Sequence, residues 1–322
     1  MPPRLLNVVH VLLVLAGLGA LGASAAGYGP VWLDGAGAVA IGTTYVWILA
    51  ARTGGRVAVF TPLALGLGIV TLVLDNDVLR SGTAVMTSAV GAALGVMATV
   101  PAVRYVAVVR EVMIAVLVSA VGAVAAVGFE PRITLNRFDY TTLAVALVIV
   151  LALVYRLGAG FHGLGTRGLV VVVIGGLVLA VALAYGELLR RYGTPGLVHS
   201  FLEAADWMRA NLGAAPRPLQ AALGIPALAW GCHQRARRRQ GWWACAFGVT
   251  ATAPVASVVV DPRLPLSQAG LGELYTLVVG LLLGWVLVRL DLLLTGSRGR
   301  GARRAEEASA LRPEPRRTEA LL

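Results

Sequence analysis

The chain has 322 residues, of which 58% are hydrophobic and only 13% are charged, and its mean hydropathy is +0.80. A soluble domain of this length needs far more polar surface, so the composition excludes that class and predicts a chain surrounded by lipid. The net charge is +11 and every basic residue is an arginine. A basic chain of this kind is expected to place its positive charge at one membrane face, with no nucleic-acid partner.

Ten apolar runs follow one another along the chain. A transmembrane helix needs about 20 mostly apolar residues, and none of the runs alternates with the period of two that marks barrel strands. The sequence therefore predicts an all-α, polytopic transmembrane helical bundle over residues 1–295, with about ten spans. The runs cover residues 5–25, 32–50, 57–75, 82–101, 107–127, 138–156, 168–187, 218–232, 242–260 and 271–290.

Arginine gathers in alternate gaps between these runs, on the side that also holds the N-terminus. Because arginine-rich loops stay in the cytosol, this pattern predicts that the N-terminus and the C-terminus are both cytosolic. The abundance of Arg, Ala, Gly and Val is typical of a GC-rich bacterial genome. We therefore expect a multi-pass protein of the bacterial cytoplasmic (inner) membrane.

The first run leaves an alternative open. Arg4, the apolar residues 5–21 and the small residues Ala23, Ser24 and Ala25 resemble a secretory signal peptide, whose cleavage would leave nine spans. The apolar part is longer than most signal cores, which favours an uncleaved first helix.

The eighth run is the weakest, because residues 218–232 are short for a span and contain Pro226. A crossing here is still favoured, since without it the arginine cluster that follows would lie outside. In that cluster we predict that Arg235, Arg237, Arg238 and Arg239 contact anionic lipid headgroups at the cytosolic face. Trp242 and Trp243 next to the cluster are typical of side chains at headgroup level.

Two segments lie outside the apolar runs. The external loop 188–217 is predicted to contain an amphipathic helix over residues 195–212, which begins after Thr194 and ends before Gly213. It would act as a lid or docking element for a membrane-protein partner, or simply as a packing strut. Residues 296–322 are rich in Arg, Glu and Ala and are predicted to form a disordered, charged cytosolic tail.

Several chemistries are excluded or disfavoured by the residues present. The absence of lysine excludes a Schiff base and a Walker-type phosphate loop. Cys232 and Cys245 match no metal or redox spacing, and the four histidines are scattered, so we predict no cofactor and no metal site.

A pair of carboxylates gives one enzymatic hypothesis. Asp75 and Asp77 at the outer end of the third run resemble the external aspartate pair of membrane glycosyltransferases that use polyprenyl-phosphate sugars. That resemblance implies an enzyme acting on a lipid-linked substrate. The alternative is a helix end solvated by its aspartates, and overall the sequence favours a protein that is not an enzyme.

Broken backbone marks the predicted substrate path. Pro226 and Pro254 each free a carbonyl near the middle of a span, and Thr250 and Thr252 lie beside them, where they either repair the breaks or line a polar cavity. We predict these four residues as a substrate-binding site. Two glycine pairs, Gly91 with Gly95 and Gly280 with Gly284, are expected to let neighbouring helices approach closely.

Ten spans divide into two halves of five with opposite topology. In span number, length and cytosolic ends the chain resembles the drug/metabolite transporter superfamily, which implies a carrier but identifies no binding residue. The sequence therefore predicts a carrier or flippase-like permease for a small metabolite or a lipid. The alternatives are a non-catalytic membrane component that assembles or regulates cell-envelope machinery, and the glycosyltransferase-like enzyme described above.

Overall fold

The computed structural model describes residues 3–159, 169–170, 172–181, 183–184, 195–236, 241–295 and 314–321. Within these ranges the chain is all-helical and contains no strand. Short π-helical turns cover Tyr155–Ala159 and Gln220–Gly224. The helices in chain order are α1 (Pro3–Ala25), α2 (Leu33–Arg52), α3 (Val57–Leu74), α4 (Asp77–Met97), α5 (Tyr105–Val127), α6 (Leu135–Val154), α7 (Val172–Val181), α8 (Pro195–Leu212), α9 (Ile225–Arg235), α10 (Gly241–Phe247), α11 (Val249–Thr252), α12 (Pro254–Val260) and α13 (Leu266–Thr295).

Seven helices of the described chain are long and apolar enough to cross a membrane. They are α1, α2, α3, α5, α6 extended to Leu157, the segment Gly241–Val260, and α13. The protein is therefore a helical membrane protein. The other three predicted runs also contain helix, in α4, α7 and α9, but α4 is more polar and α7 and α9 are shorter. Ten crossings remain a prediction.

Helix α4 lies at the centre of the bundle, where it packs against α2, α5 and α6. Residues 87–97 of this helix are all buried, and most of them are Ala, Gly, Ser or Val. Small side chains let helix backbones approach closely, and close packing drives helix association in lipid. Protein therefore surrounds residues 87–97 of α4 on almost every side, which suits a helix less apolar than the seven candidate spans.

The close approaches predicted from the glycine pairs are confirmed. A Cβ atom added at Gly91 would lie 3.1 Å from the Cα atom of Gly122, and one at Gly95 would lie 2.5 Å from the carbonyl oxygen of Ala115. Gly280 faces Ile225, and Gly284 faces Ala229, at similarly short distances. These glycines set how closely α4 packs on α5 and α13 on α9.

The segment Gly241–Val260 is broken into α10, α11 and α12. Of an 18-residue stretch of this segment 83% is buried, which is the largest share among the seven candidate spans. The breaks fall at Gly248 and just before Pro254. Proline removes a backbone N–H and clashes with the preceding turn, and broken backbone is tolerated at membrane depth only inside protein. This explains why the most interrupted helix is also the most enclosed.

Charged contacts define two ends of the bundle. At one end Arg132 pairs with Asp77 at 2.8 Å, and Arg80 pairs with Glu130 at 2.5 Å. The opposite end, which we call the arginine end, contains Arg52. Hydrogen bonds there connect the ends of α2, α4 and α9 with one another and with the start of α5.

Both described extremities of the chain point to the arginine end. The ring of His10 in α1 packs edge-on against Trp47, near the end of α2, with centroids 4.6 Å apart. Residues 314–321 contact Arg52 directly. The first and last described segments therefore lie at the same end of the bundle.

Candidate functional site

The four residues predicted to bind substrate are packed inside the bundle. Thr250 and Thr252 are fully buried, and their hydroxyls donate to backbone carbonyls: Thr250 to Phe247 at 2.7 Å and Thr252 to Ala92 at 3.1 Å. Pro226 and Pro254 are buried as well. The Thr250 hydroxyl thus bonds within the broken segment and the Thr252 hydroxyl joins that segment to α4, and the substrate-binding role of the four residues stays a prediction.

No open path is described between α9 and the broken segment α10–α12. A Cβ atom added at Gly224 would lie 2.3 Å from the backbone nitrogen of Ala251, and one at Gly231 would lie 2.6 Å from that of Cys245. Backbones this close leave no room for a ligand. A cavity for a transported molecule would therefore have to lie elsewhere in the bundle.

Such a cavity lies between α2, α3, α4 and α6, and we call it the lateral cavity. Its volume is about 340 Å³, and it is partly open. Ligand-binding cavities between helices typically begin at about 300 Å³. None of the four predicted substrate-binding residues lines it, so the lateral cavity is a separate candidate site that the sequence did not indicate.

The lateral cavity is elongated along α2. One face of α2 lines it over residues 39–53, which at about 1.5 Å per residue corresponds to about 21 Å. The cavity is therefore longer than one leaflet of the hydrocarbon core, which is about 15 Å thick. Phe129 and Thr83 mark one end, whereas Gly55 and Arg156 mark the other, at the arginine end.

The wall of the cavity is mostly apolar. Helix α3 contributes Phe60, Leu63 and Leu67 to this wall. The rest of α3 is largely exposed, so this one helix separates the cavity from lipid. Few polar atoms face the space, and the hydroxyl of Thr83 is already paired with that of Thr71 at 2.8 Å. An apolar channel of this shape suits a hydrocarbon chain better than a polar metabolite.

Arg156 gives the lateral cavity one charged mouth. It follows α6 in the π-helical turn Tyr155–Ala159, its side chain is exposed, and no ion pair is described for it. The exposed Arg56 lies in the short loop between α2 and α3, beside the lining residue Gly55. Guanidinium groups bind phosphate and carboxylate well, so this mouth has the chemistry to hold an anionic headgroup.

The arginine end contains a second polar cluster, which is buried. Arg235 has no exposed side-chain surface; it donates to the hydroxyl of Thr99 at 2.7 Å, and its guanidinium carbon lies 3.5 Å above the ring of Trp242. The prediction that Arg235 contacts lipid headgroups is therefore not met, because the fold turns this side chain into the protein. Arg237, Arg238 and Arg239 lie outside the described residues.

The tryptophans beside that cluster also differ from expectation. Trp242 and Trp243 are buried and belong to α10, so their rings face protein and not lipid headgroups. The thiols of Cys232 and Cys245 come together next to them, although their spacing in the sequence predicts no pair, and both are free and buried.

Residues 314–321, which we call the C-terminal strap, cover this cluster. We expected the whole tail 296–322 to be disordered, and its residues 296–313 lie outside the described ranges. The strap instead docks: the carboxylate of Glu314 accepts from Arg235 at 2.5 Å, and Arg317 pairs with the fully buried Glu111 at 2.8 Å. The sequence does not indicate this docking, because the partners Arg235 and Glu111 lie far from the strap along the chain.

A third polar network lies toward the other end of the bundle, around Arg217. Its guanidinium donates to the carbonyl of Pro254 at 3.1 Å, and Ser257 links it to Asp139 through a hydrogen bond of 3.0 Å. Burial lowers the pKa of Arg217, and the carboxylates of Asp139 and Glu273 partly offset that effect. This network ties α6, α12 and α13 together at the helix break before Pro254.

The aspartates of the enzymatic hypothesis are engaged in structural contacts. Asp75 pairs with Arg80 at 2.7 Å and Asp77 with Arg132 at 2.8 Å. Asn76 between them caps α4, because its side chain accepts from the backbone of Val78 at 2.9 Å. Among the described residues no group of three metal-ligating side chains occurs. The arrangement is the one expected for a solvated helix start.

The predicted external helix is present as α8, with the predicted bounds Pro195–Leu212. Trp207 on it is 61% exposed, and the hydroxyl of Tyr275 donates to the carbonyl of Leu212 at 2.9 Å. Its proposed roles as lid, docking element or strut stay predictions.

Comparisons of this chain with known protein families, with curated proteins and with solved structures find no match. The resemblance to drug/metabolite transporters therefore rests on span number and length alone.

Proposed function

We propose that this protein is a lipid-binding membrane carrier of flippase-like type, which holds a hydrocarbon chain of an anionic lipid in the lateral cavity. The observation that supports this most directly is the shape of that cavity. It is apolar, it follows α2 for about 21 Å, and it ends at Arg156. We further propose the cytoplasmic membrane of a bacterium as its location, with both termini in the cytosol.

The amphiphilic character of the site selects the substrate class. Burying a hydrocarbon chain against apolar walls is favourable wherever the walls fit it closely, whereas a polar metabolite would leave its hydrogen-bonding groups unpaired along most of the cavity. The anionic headgroup would then lie at the arginine end, close to Arg156 and Arg56. A single wall helix, α3, gives a lipid a short lateral route from the bilayer.

Filling the cavity tests this function. Ala64 of α3 lines the lateral cavity, whereas its neighbour Leu65 does not and is 43% exposed. The variant Ala64→Trp should block chain entry and Leu65→Trp should not. We expect wild-type protein in liposomes to speed the transbilayer movement of fluorescent phosphatidylglycerol at least tenfold over protein-free liposomes, and Ala64→Trp to remove most of that increase.

A second candidate function is a non-catalytic membrane component that binds lipid without moving it. The packing of α11 and α12 against α4 and α5 favours this candidate, because it closes the path between the two predicted halves that a carrier of the inverted-repeat type would open. Lipid retained by the purified wild type and by Leu65→Trp but lost from Ala64→Trp, without any transbilayer movement, would select it. If all three proteins retain lipid equally, the lateral cavity is not the binding site and both candidates fail.

A further inference from the structure

The arginine end contains an anion-binding arrangement that the lateral cavity does not use. Arg235 and Arg52 are both buried, and together with Thr99 they form what we call the two-arginine pocket. The two guanidinium groups bond to neighbouring residues at the end of α4, Arg52 to Met97 and Arg235 to Thr99. Two buried positive charges side by side require an anion or a set of carbonyl oxygens as a partner.

In this structure the partner is the C-terminal strap. Both oxygens of the Glu314 carboxylate accept from Arg235, Oε2 from Nη2 at 2.5 Å and Oε1 from Nε at 3.3 Å. Arg52 donates to the carbonyls of Arg316 at 2.6 Å and Glu319 at 2.5 Å. The pocket thus receives one carboxylate in a two-point contact and two backbone carbonyls, all from eight consecutive residues.

The pocket itself is built without the strap. Nη1 and Nη2 of Arg235 donate to the hydroxyl and the carbonyl of Thr99, and the ring centroid of Trp242 lies 3.5 Å from the guanidinium carbon. Arg52 is fixed by its donation to the carbonyl of Met97 at 3.2 Å. These contacts come from α2, from α9 and α10, and from the end of α4, so the guanidinium groups keep their positions if the strap leaves.

The strap carries no regular secondary structure and is held by polar contacts spread along its length. Arg317 pairs with Glu111, but Glu111 also accepts from the exposed Arg110 at 2.9 Å and from the backbone of Val100 at 2.9 Å, so it stays partnered without the strap. Apolar anchoring comes mainly from Leu321, which packs against the core. Ordering eight residues costs conformational entropy that this small contact only partly offsets.

We propose that the two-arginine pocket is a binding site for a phosphate group, and that the C-terminal strap is an intramolecular competitor which occupies it with Glu314. A phosphate offers more charge and more acceptor oxygens than a single carboxylate and matches the fork of a guanidinium. Phosphate binding and strap docking therefore exclude each other. The phosphate belongs either to an anionic lipid headgroup at this membrane face or to a free phosphorylated molecule.

Two conservative variants of the full chain separate this proposal from general charge effects. Glu314→Gln removes the charge that faces Arg235. Glu319→Gln removes one charge from the same strap, but the Glu319 carboxylate accepts a hydrogen bond from the backbone of Arg316 and reaches Arg52 through its charge alone. We expect Glu314→Gln to bind inorganic phosphate at least tenfold more tightly than wild type, and Glu319→Gln to gain much less, as measured by the phosphate dependence of the melting temperature.

Hydrogen exchange gives an independent measurement on the unmodified protein. The backbone N–H of Leu321 donates to the carbonyl of Arg52 at 2.7 Å, so docking protects it. Saturating phosphate should raise exchange in residues 314–321, and nanodiscs of phosphatidylglycerol, compared with phosphatidylcholine, should do the same if the phosphate is that of a lipid. An effect of free phosphate without a difference between the two lipids assigns the site to a free molecule. Unchanged exchange in every arm, or equal phosphate affinity of Glu314→Gln and Glu319→Gln, overturns the proposal.

Discussion

Glu111 shows at the scale of one residue how this fold uses charge. It is fully buried, and its carboxylate accepts from Arg317 at 2.8 Å and from the backbone of Val100 at 2.9 Å. Removing one partner of a buried ion pair is costly because the other charge loses its compensation. The sequence marks Glu111 only as an acid near the end of an apolar run, since its partner Arg317 lies about two hundred positions away.

The variant Glu111→Gln should therefore destabilise the protein by about 2 kcal/mol, below the usual cost of a buried pair because Arg317 and Arg110 keep some contact with solvent. The measurement is unfolding of the purified protein in micelles. Glu130→Gln is the matched control, because Glu130 also pairs with an arginine, Arg80, but is 58% exposed. We expect it to cost less than about 1 kcal/mol; equal losses for the two variants would contradict the assigned burial.

At the scale of the element, the positions of most helices are predictable and their interruptions only partly so. Hydropathy places α2, α3 and α5 within two residues of their observed ends, because lipid selects apolar runs of fixed length. The prolines predict breaks near residues 226 and 254. The start of α4 at Asp77, five residues before the predicted run, depends on the Asn76 cap, which hydropathy does not report.

Two glycines of α4 test whether close packing holds that helix at the centre. Gly95→Ala should destabilise the protein by about 2 kcal/mol or more, because its Cβ atom would lie 2.5 Å from the carbonyl oxygen of Ala115 and α5 would have to move away. Gly82→Ala is the control on the same helix: nothing lies within 4 Å of its added Cβ atom, so alanine should be neutral or should stabilise by up to about 1 kcal/mol. Thermal unfolding in detergent compares them, and similar melting temperatures would show that α4 and α5 are not in close contact.

At the scale of the whole molecule, the sequence predicts the class and the two charged faces but not the cavity or the strap. Membrane class and the direction of each helix depend on sums over many residues, which a pattern captures. The lateral cavity depends on how far α3 stands from α4, and the strap depends on a pairing between Glu314 and Arg235. Both are properties of tertiary distance, for which neither apolar runs nor local charge density carries information.

The direction of the bundle in the membrane follows from the same contacts. Residues 314–321 dock at the arginine end, and α1 packs on α2 with His10 beside Trp47, so the two extremities should lie on one side of the membrane. Because arginine-rich loops are retained in the cytosol, that side should be the cytosol. Green fluorescent protein fused after residue 322 or before residue 1 should then fluoresce in both fusions, since it folds in the cytosol. Alkaline phosphatase inserted after Arg132, which pairs with Asp77 at the opposite end of the bundle, should be active on the external side of the membrane. Fluorescence from only one extremity would require an odd number of crossings, and it would place the strap and the first helix on different sides, against the contacts that hold them at the arginine end.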